Sequence, residues 1–269
     1  MNNNKLHQNY PEQDYHNNKA LGSTDIKTIK KSLETFYYRN HCKELFESEN
    51  KKSLLIGSAF HLLVSGGVKE FLKEYKIRKK PRVNKFIGKG ENIITVKDWQ
   101  LLKILYRKIK TNPLSKEILD MKNIQHEVSY FWQENEVNLK CRFDMLINNR
   151  IIVDIKTIDN TTQREFDKLL NYSIRKYEYN IQAQHYLNGL KHYLKNNNID
   201  KEPIFIFLFI EKSMPYRIGR KILSVDILQD AQFQIDYAIT KYKEALKKDY
   251  WIDPITEKIT LDDIMYYQG

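Results

Sequence analysis

The chain has 269 residues, 41% hydrophobic and 29% charged, with 45 basic against 34 acidic side chains and a formal net charge of +11. This suits one large folded domain with a real core, and apolar stretches such as Ile204 to Ile210 fall far short of the roughly 20 residues of a membrane span. Two cysteines, Cys42 and Cys141, exclude a disulfide scaffold and a four-cysteine zinc or iron–sulfur site; the surplus of positive charge favours a polyanionic partner, although lysine- and asparagine-rich usage also follows from AT-rich coding.

Residues 1–20 are expected to be a flexible polar tail without an apolar signal region, which implies a cytoplasmic protein. Ser23-Thr24-Asp25 predicts the cap of a helix from Ile26 to Leu45. A second helix runs from Ser53 to Val64, stopped by Gly66-Gly67. Gly57 and Ser58 on it allow close backbone approach, and His61 follows one turn later; taken alone, such a histidine is a satisfied core residue. Residues 69–89 hold nine basic side chains against two acidic ones. Within them Arg78, Lys79, Lys80 and Arg82, flanked by aromatic residues, suit contact with a phosphate backbone, and a solvated loop is the equal alternative. Asp98 to Lys110 is an amphipathic helix broken by Asn112-Pro113.

Ile124 to Trp132 alternates as a strand containing Glu127, and residues 137–157 form a strand pair about the turn Asn148-Asn149-Arg150. Asp159 to Thr162 predicts the cap of a helix from Gln163, and a longer helix covers Tyr177 to Leu194, placing Gln182 and Tyr186 on one face. Ile204 to Ile210 is a fully buried strand, Arg217 to Val225 a second strand, and Ile227 to Lys247 a long helix. Residues 21–250 form a single domain and 251–269 a C-terminal tail, so the expected architecture is α/β, a mixed central sheet flanked by helices.

Chemistry concentrates in the strand pair. Asp154 and Lys156 project to one face of their strand with Ile155 facing away, and Asp144 lies on the neighbouring strand. Two carboxylates can hold Mg2+ or Mn2+, and a lysine beside them can orient a water and offset charge on a scissile phosphate.

An Asp, a turn and Asp-x-Lys resemble the signature of the PD-(D/E)xK nuclease superfamily, with Phe143 where the motif has proline. Gly57-Ser58-Ala59-Phe60-His61 resembles its Gly-x-x-x-His helix, and Gln182 to Tyr186 the Gln-x-x-x-Tyr motif of the RecB-like branch. Their order, with Glu211-Lys212 and Pro215-Tyr216 following, is most similar to the exonuclease VIII, RecE-type group. The resemblance implies a restriction-endonuclease-like core in which Asp144, Asp154, His61 and the Ile155 carbonyl hold the cation. It implies that Lys156 acts on water and phosphate, that Gln182 orients DNA or active-site groups, and that Tyr186 hydrogen-bonds near the phosphate. Glu127 stands near the cation or, equally, is a salt-bridged edge residue. The family degrades linear double-stranded DNA from 5' ends as ring-shaped trimers or tetramers, handing a 3' strand to a single-strand annealing protein, and phage origin follows on the same grounds. Alternatives are an endonuclease or single-strand nuclease of this superfamily, a catalytically inactive DNA-binding module, and a structural protein with a coincidental Asp-x-Lys.

Overall fold

A computed structural model describes residues 5–41, 51–79, 92–161 and 163–253. Five strands make the central sheet: β3 (Ile124–Glu134), β4 (Val137–Ile147), β5 (Ile151–Ile158), β6 (Ile204–Glu211) and β7 (Ile218–Lys221), in that spatial order. β5 and β6 are parallel, with Ile151 opposite Ile204 and Ile158 opposite Glu211, and the other neighbours are antiparallel. A parallel ladder needs a long crossover, supplied here by α7 (Phe166–Lys176) and α8 (Tyr179–Asn196). Two short parallel strands, β1 (Tyr75–Arg78) and β2 (Asn92–Thr95), form a separate ribbon.

Helices cover both faces. On one, α2 (Ser23–Lys31), α3 (Leu33–His41), α7, α8 and α9 (Val225–Lys248) bury Ile26, Ile29, Ile181, Leu190 and Ile235 against Phe205, Phe207 and Phe209. On the other, α4 (Lys51–Glu74), α5 (Val96–Thr111) and α6 (Pro113–Leu119) bury Phe60, Leu63, Leu102 and Ile109 against Ile206, Leu208 and Ile210. β6 thus shows an aromatic face to one core and an aliphatic face to the other, which is why its sequence is an unbroken apolar run. This is the expected mixed sheet flanked by helices, with a restriction-endonuclease-like architecture.

The element boundaries differ from expectation where side chains take over backbone bonds. The helix expected over Ile26 to Leu45 breaks at Ser32, which is extended (φ −158°, ψ 119°) and whose hydroxyl accepts the Thr35 N–H at 2.9 Å; its last residues, 42–45, lie outside the described ones. α4 continues beyond Gly67 to Glu74, bending there because Gly67 adopts φ 70°. Lys52–Glu74 is long and apolar enough to cross a membrane. Here, though, its Ala59, Phe60 and Leu63 are wholly enclosed in the core. α7 starts at Phe166, not Gln163: Asn160 closes a loop by accepting the Arg164 N–H at 2.9 Å and donating to the Arg164 carbonyl at 3.0 Å, and Gln163 has φ 51°. Asn112 ends α5 and caps α6 by accepting the Leu114 N–H, with Pro113 in the first turn.

Residues 5–20, expected as a free tail, are docked on the sheet and include α1 (Glu12–Asn17). His7 and Ser129 exchange backbone hydrogen bonds at 2.9 Å on the edge of β3. The Lys140 ammonium donates to the Tyr15 and Asn18 carbonyls, and Arg142 donates to the Tyr10 carbonyl. Cations set into β4 therefore anchor a segment whose own composition looks unstructured. The C-terminal tail lies outside the described residues beyond Asp253.

Candidate active site

The sheet forks at Asp144. β4 pairs with β5 only through Met145, Leu146 and Ile147, and beyond them the strands separate. Leu21 fills the gap by bonding to β4 at Asn138 and Lys140. Side-chain alternation inverts at the same point. Val137, Leu139, Cys141 and Phe143 face the aromatic core, while Met145 and Ile147 face the aliphatic one. β3 inverts opposite it: Val128, Tyr130 and Trp132 face the aromatic core and Ile124 the aliphatic one, with Glu127 at φ 50° between them. A left-handed glutamate is costly and persists where its surroundings over-determine it. Here it turns the Glu127 carboxylate into the fork.

Three ligand atoms converge there: His61, Glu127 and Asp144 lie within 4.8 Å of one another. Asp144 Oδ2 accepts the Ile155 N–H at 2.8 Å, replacing the ladder acceptor lost where the strands part. The same oxygen is 3.3 Å from His61 Nδ1, and His61 Nε2 is 2.8 Å from the Ile155 carbonyl. With an acceptor at each ring nitrogen the imidazolium is favoured. Burial alone would lower the His61 pKa, but Asp144 outweighs it and raises it to about 9. Burial raises Asp144 too, yet His61, Lys156 and the Ile155 N–H together hold it below the usual carboxylate range. Glu127, enclosed and facing the Asp144 charge, is pushed up to about 7.

Asp154 and Lys156 stand on the other side of the fork, as the period of two requires. Asp154 is 1% exposed. Its Oδ1 accepts from Gln182 Nε2 at 2.7 Å and its Oδ2 lies 2.7 Å from Lys156 Nζ. Burial and the Asp144 charge push it up to about 6 against the pull of Lys156. Lys156 Nζ sits 4.9 Å from the centre of the Tyr179 ring. Burial disfavours its charge, but Asp154, Tyr179 and Asp144 raise its pKa above the ordinary lysine value. At neutral pH it is therefore an ammonium. Tyr186 packs edge-on against Phe143, with ring centres 5.7 Å apart, so the residue at the motif's proline position supports the motif's tyrosine.

The structure thus gathers Glu127, His61 and Asp144 at one point with the Ile155 backbone against them, sets the chain of Gln182, Asp154 and Lys156 beside that point, and packs Tyr186 behind it on Phe143. Two carboxylates and an imidazole at this spacing suit a divalent cation, which would offset both the burial of Glu127 and the Asp144 charge facing it, the two causes of its raised pKa. Arg78 ends β1 and Lys79 follows it, and neither lines the cleft described next; Lys80 and Arg82 lie outside the described residues. Gly57 does not meet a neighbouring backbone: a Cβ there would touch only Thr157 Oγ1, at 4.0 Å. It opens onto the cleft.

That cleft, of about 580 Å3, lies at the carboxyl ends of β5 and β6, between α4 and α7, with His61 and Lys156 in its wall. The crevice outside the strand ends is where open α/β sheets place ligands. Besides His61 and Lys156 its basic groups are Arg164, Lys176 and Lys212. Arg164 and Lys176 carry no signal in the sequence, because they sit in unremarkable loop and helical contexts that only the fold brings together, and Lys212 enters there only with Glu211 as part of the family resemblance. Lys27 on α2 was also missed. Its ammonium donates to the Tyr177 carbonyl at 2.9 Å, and burial together with Lys156 lowers its pKa to about 8. Its position on the polar side of α2, opposite Ile26 and Ile29, was the one available signal.

A family model described as "PDDEXK-like domain of unknown function (DUF3799)" matches residues 22–260. Among curated proteins, no sequence matches the chain. A solved structure from Eubacterium rectale, described as a candidate exonuclease, superposes with TM-score 0.66 at 16% identity, covering 95% of this chain and 96% of that one. A second, SSO0001, covers 80% of this chain and 84% of its own at 14% identity, with TM-score 0.27.

Proposed function

The chain belongs to the PDDEXK-like domain family, and from that premise we propose that it is a divalent-metal-dependent exonuclease that hydrolyses linear double-stranded DNA from 5' ends. The observation that carries the nuclease reading is the fork itself. A glutamate from β3, an aspartate from β4 and an imidazole from α4 surround one point, with the ion pair of Asp154 and Lys156 from β5 beside them and the lysine in the wall of a basic cleft. The resemblance of this chain's motif order to exonuclease VIII and the Eubacterium rectale neighbour's description support the exonuclease part.

His61, Asp144, Asp154, the Ile155 carbonyl and Glu127 would hold Mg2+ or Mn2+. The cation supplies Lewis-acid charge to a phosphoryl oxygen and acidifies water. Lys156, kept charged by Asp154, orients that water and balances charge developing on the phosphate. Gln182 fixes Asp154 by holding Oδ1, and Tyr179 limits where the Lys156 ammonium can go. Tyr186 holds Phe143 and the strand carrying Asp144 in place. In this reading the protein acts in the cytoplasm as a ring-shaped trimer or tetramer, leaving a 3' strand for an annealing protein.

The experiment is degradation of linear duplex labelled at either 5' or 3' ends, beside closed circular duplex, with Mg2+. Loss of linear DNA alone with early release of the 5' label is the expected result. Cutting of the circle would make it an endonuclease, and binding without cleavage in either Mg2+ or Mn2+ would make it a DNA-binding module.

A further inference from the structure

The α7 side of the cleft carries groups that neither the cation nor Lys156 requires. Tyr172 and Tyr177, in the wall of the cleft, are 36% and 49% exposed. The Arg164 guanidinium lies 3.9 Å from the centre of the Tyr172 ring, and the Lys176 ammonium lies 5.7 Å from Tyr172 and 5.4 Å from Tyr177. Among the described residues, neither Arg164 nor Lys176 has a carboxylate partner. Beyond Tyr177 a second groove of about 440 Å3 runs along α2, sharing Lys176 and Tyr177 with the first and adding Lys27, Thr28 and Lys31. The two grooves form one track from Lys156 to α2 with Tyr177 at the crossing.

We propose that Tyr172, Tyr177 and Arg164 form a stacking platform for the unpaired bases of one nucleic-acid strand, whose backbone then follows Lys176 into the groove beside α2. The inference rests on the nuclease reading and names the form of the substrate: a strand end already parted from its complement. A ring can stack on a base only when that base has left its duplex stack. The cleft falls in the roughly 300–1,000 Å3 range that encloses a drug-sized ligand, room for about one or two nucleotides of a single strand. Partly exposed rings beside cations are the pattern that holds a strand without reading its sequence; Arg164 and Lys176 supply those cations without a carboxylate partner among the described residues, whereas Lys31 in the second groove pairs with Glu178 at 2.6 Å.

The test is fluorescence anisotropy in EDTA with a labelled single strand of about ten nucleotides, an abasic copy of it, and a duplex of the same length. Wild type should hold the normal strand on the order of 10- to 100-fold more tightly than the abasic one. Tyr172→Ala should lose most of that advantage while binding the abasic strand unchanged, and Tyr172→Trp should keep it. Equal affinity for normal and abasic strands, equal weakening of both by Tyr172→Ala, or preference for the duplex would each overturn the platform. Binding is read without cleavage, so failure here leaves the nuclease reading standing. Failure of the nuclease reading would show instead as binding without hydrolysis when Mg2+ or Mn2+ is supplied.

Discussion

Binding of a divalent cation at the fork should expel protons from the groups that would hold it. Without the cation His61 is held protonated up to about pH 9 and Glu127 up to about pH 7, while Asp154 titrates near 6. A nitrogen ligand must be neutral and a carboxylate ligand ionised. At pH 7 the His61 proton is therefore fully present to be lost, Glu127 is about half protonated, and Asp154 adds a small fraction. Roughly 1.5 protons should leave per cation at pH 7, falling toward about one near pH 8 where only His61 contributes. Isothermal titration calorimetry with Mn2+ in buffers of different ionisation enthalpy reads this number directly. His61→Ala should lower it by about one at both pH values, and Glu127→Gln by about half at pH 7 only. A binding enthalpy independent of buffer at pH 7 would refute the reasoning, since neither His61 nor Glu127 could then be giving up a proton to the cation.

Other consequences follow from separate parts of the structure. Gln182→Ala should slow hydrolysis and shift its acid limb to higher pH, because Asp154 loses the hydrogen bond that steadies its ionised form; an unchanged pH–rate profile would deny Gln182 that role. Phe207→Ala removes a wholly buried ring from the aromatic face of β6 and should cost about 3–5 kcal/mol in urea unfolding. Gly189→Ala should destabilise the fold by about 1–3 kcal/mol, since its Cβ would come within 2.9 Å of Cys141 Sγ and 3.0 Å of the Trp132 ring. Glu211 accepts from Arg217 at 2.7 and 2.9 Å, and those hydrogen bonds hold its pKa below the ordinary 4.5. Because its folded pKa is depressed, its stabilisation is complete above about pH 4.5 and is lost as pH falls through the folded value. Glu211→Gln should therefore lower Tm at pH 7 and flatten its decline below pH 4.5, and an unchanged acid limb would contradict the pairing.

The sequence made the strands of the candidate site legible because their constraints are local. A period of two put Asp154 and Lys156 on one face, the apolar run from Ile204 announced a strand buried on both sides, and the four-residue spacing joined Gln182 to Tyr186. The fork was not legible. It depends on Glu127 adopting φ 50° opposite Asp144 and on the inversion of alternation in two paired strands, and no residue pattern marks that. The N-terminal segment was misread because its anchors, Lys140 and Arg142, lie more than a hundred positions away. Ser32 and Asn160 shifted helix boundaries through side-chain hydrogen bonds that compete with helical ones. The densest basic run attracted attention as a DNA contact, whereas the cations lining the cleft are scattered singly through the sequence and meet only in three dimensions.

We propose that the fork is a metal-dependent nuclease centre with Lys156 acting on the phosphate. Hydrolysis of linear duplex DNA in Mg2+ by wild type and Lys156→Ala, at enzyme concentrations saturating for binding, tests it most directly. Wild type should cleave in a manner that EDTA abolishes, and the variant should lose about 100- to 1,000-fold with DNA binding retained. Cleavage by Lys156→Ala at the wild-type rate, or activity that survives EDTA, would contradict it.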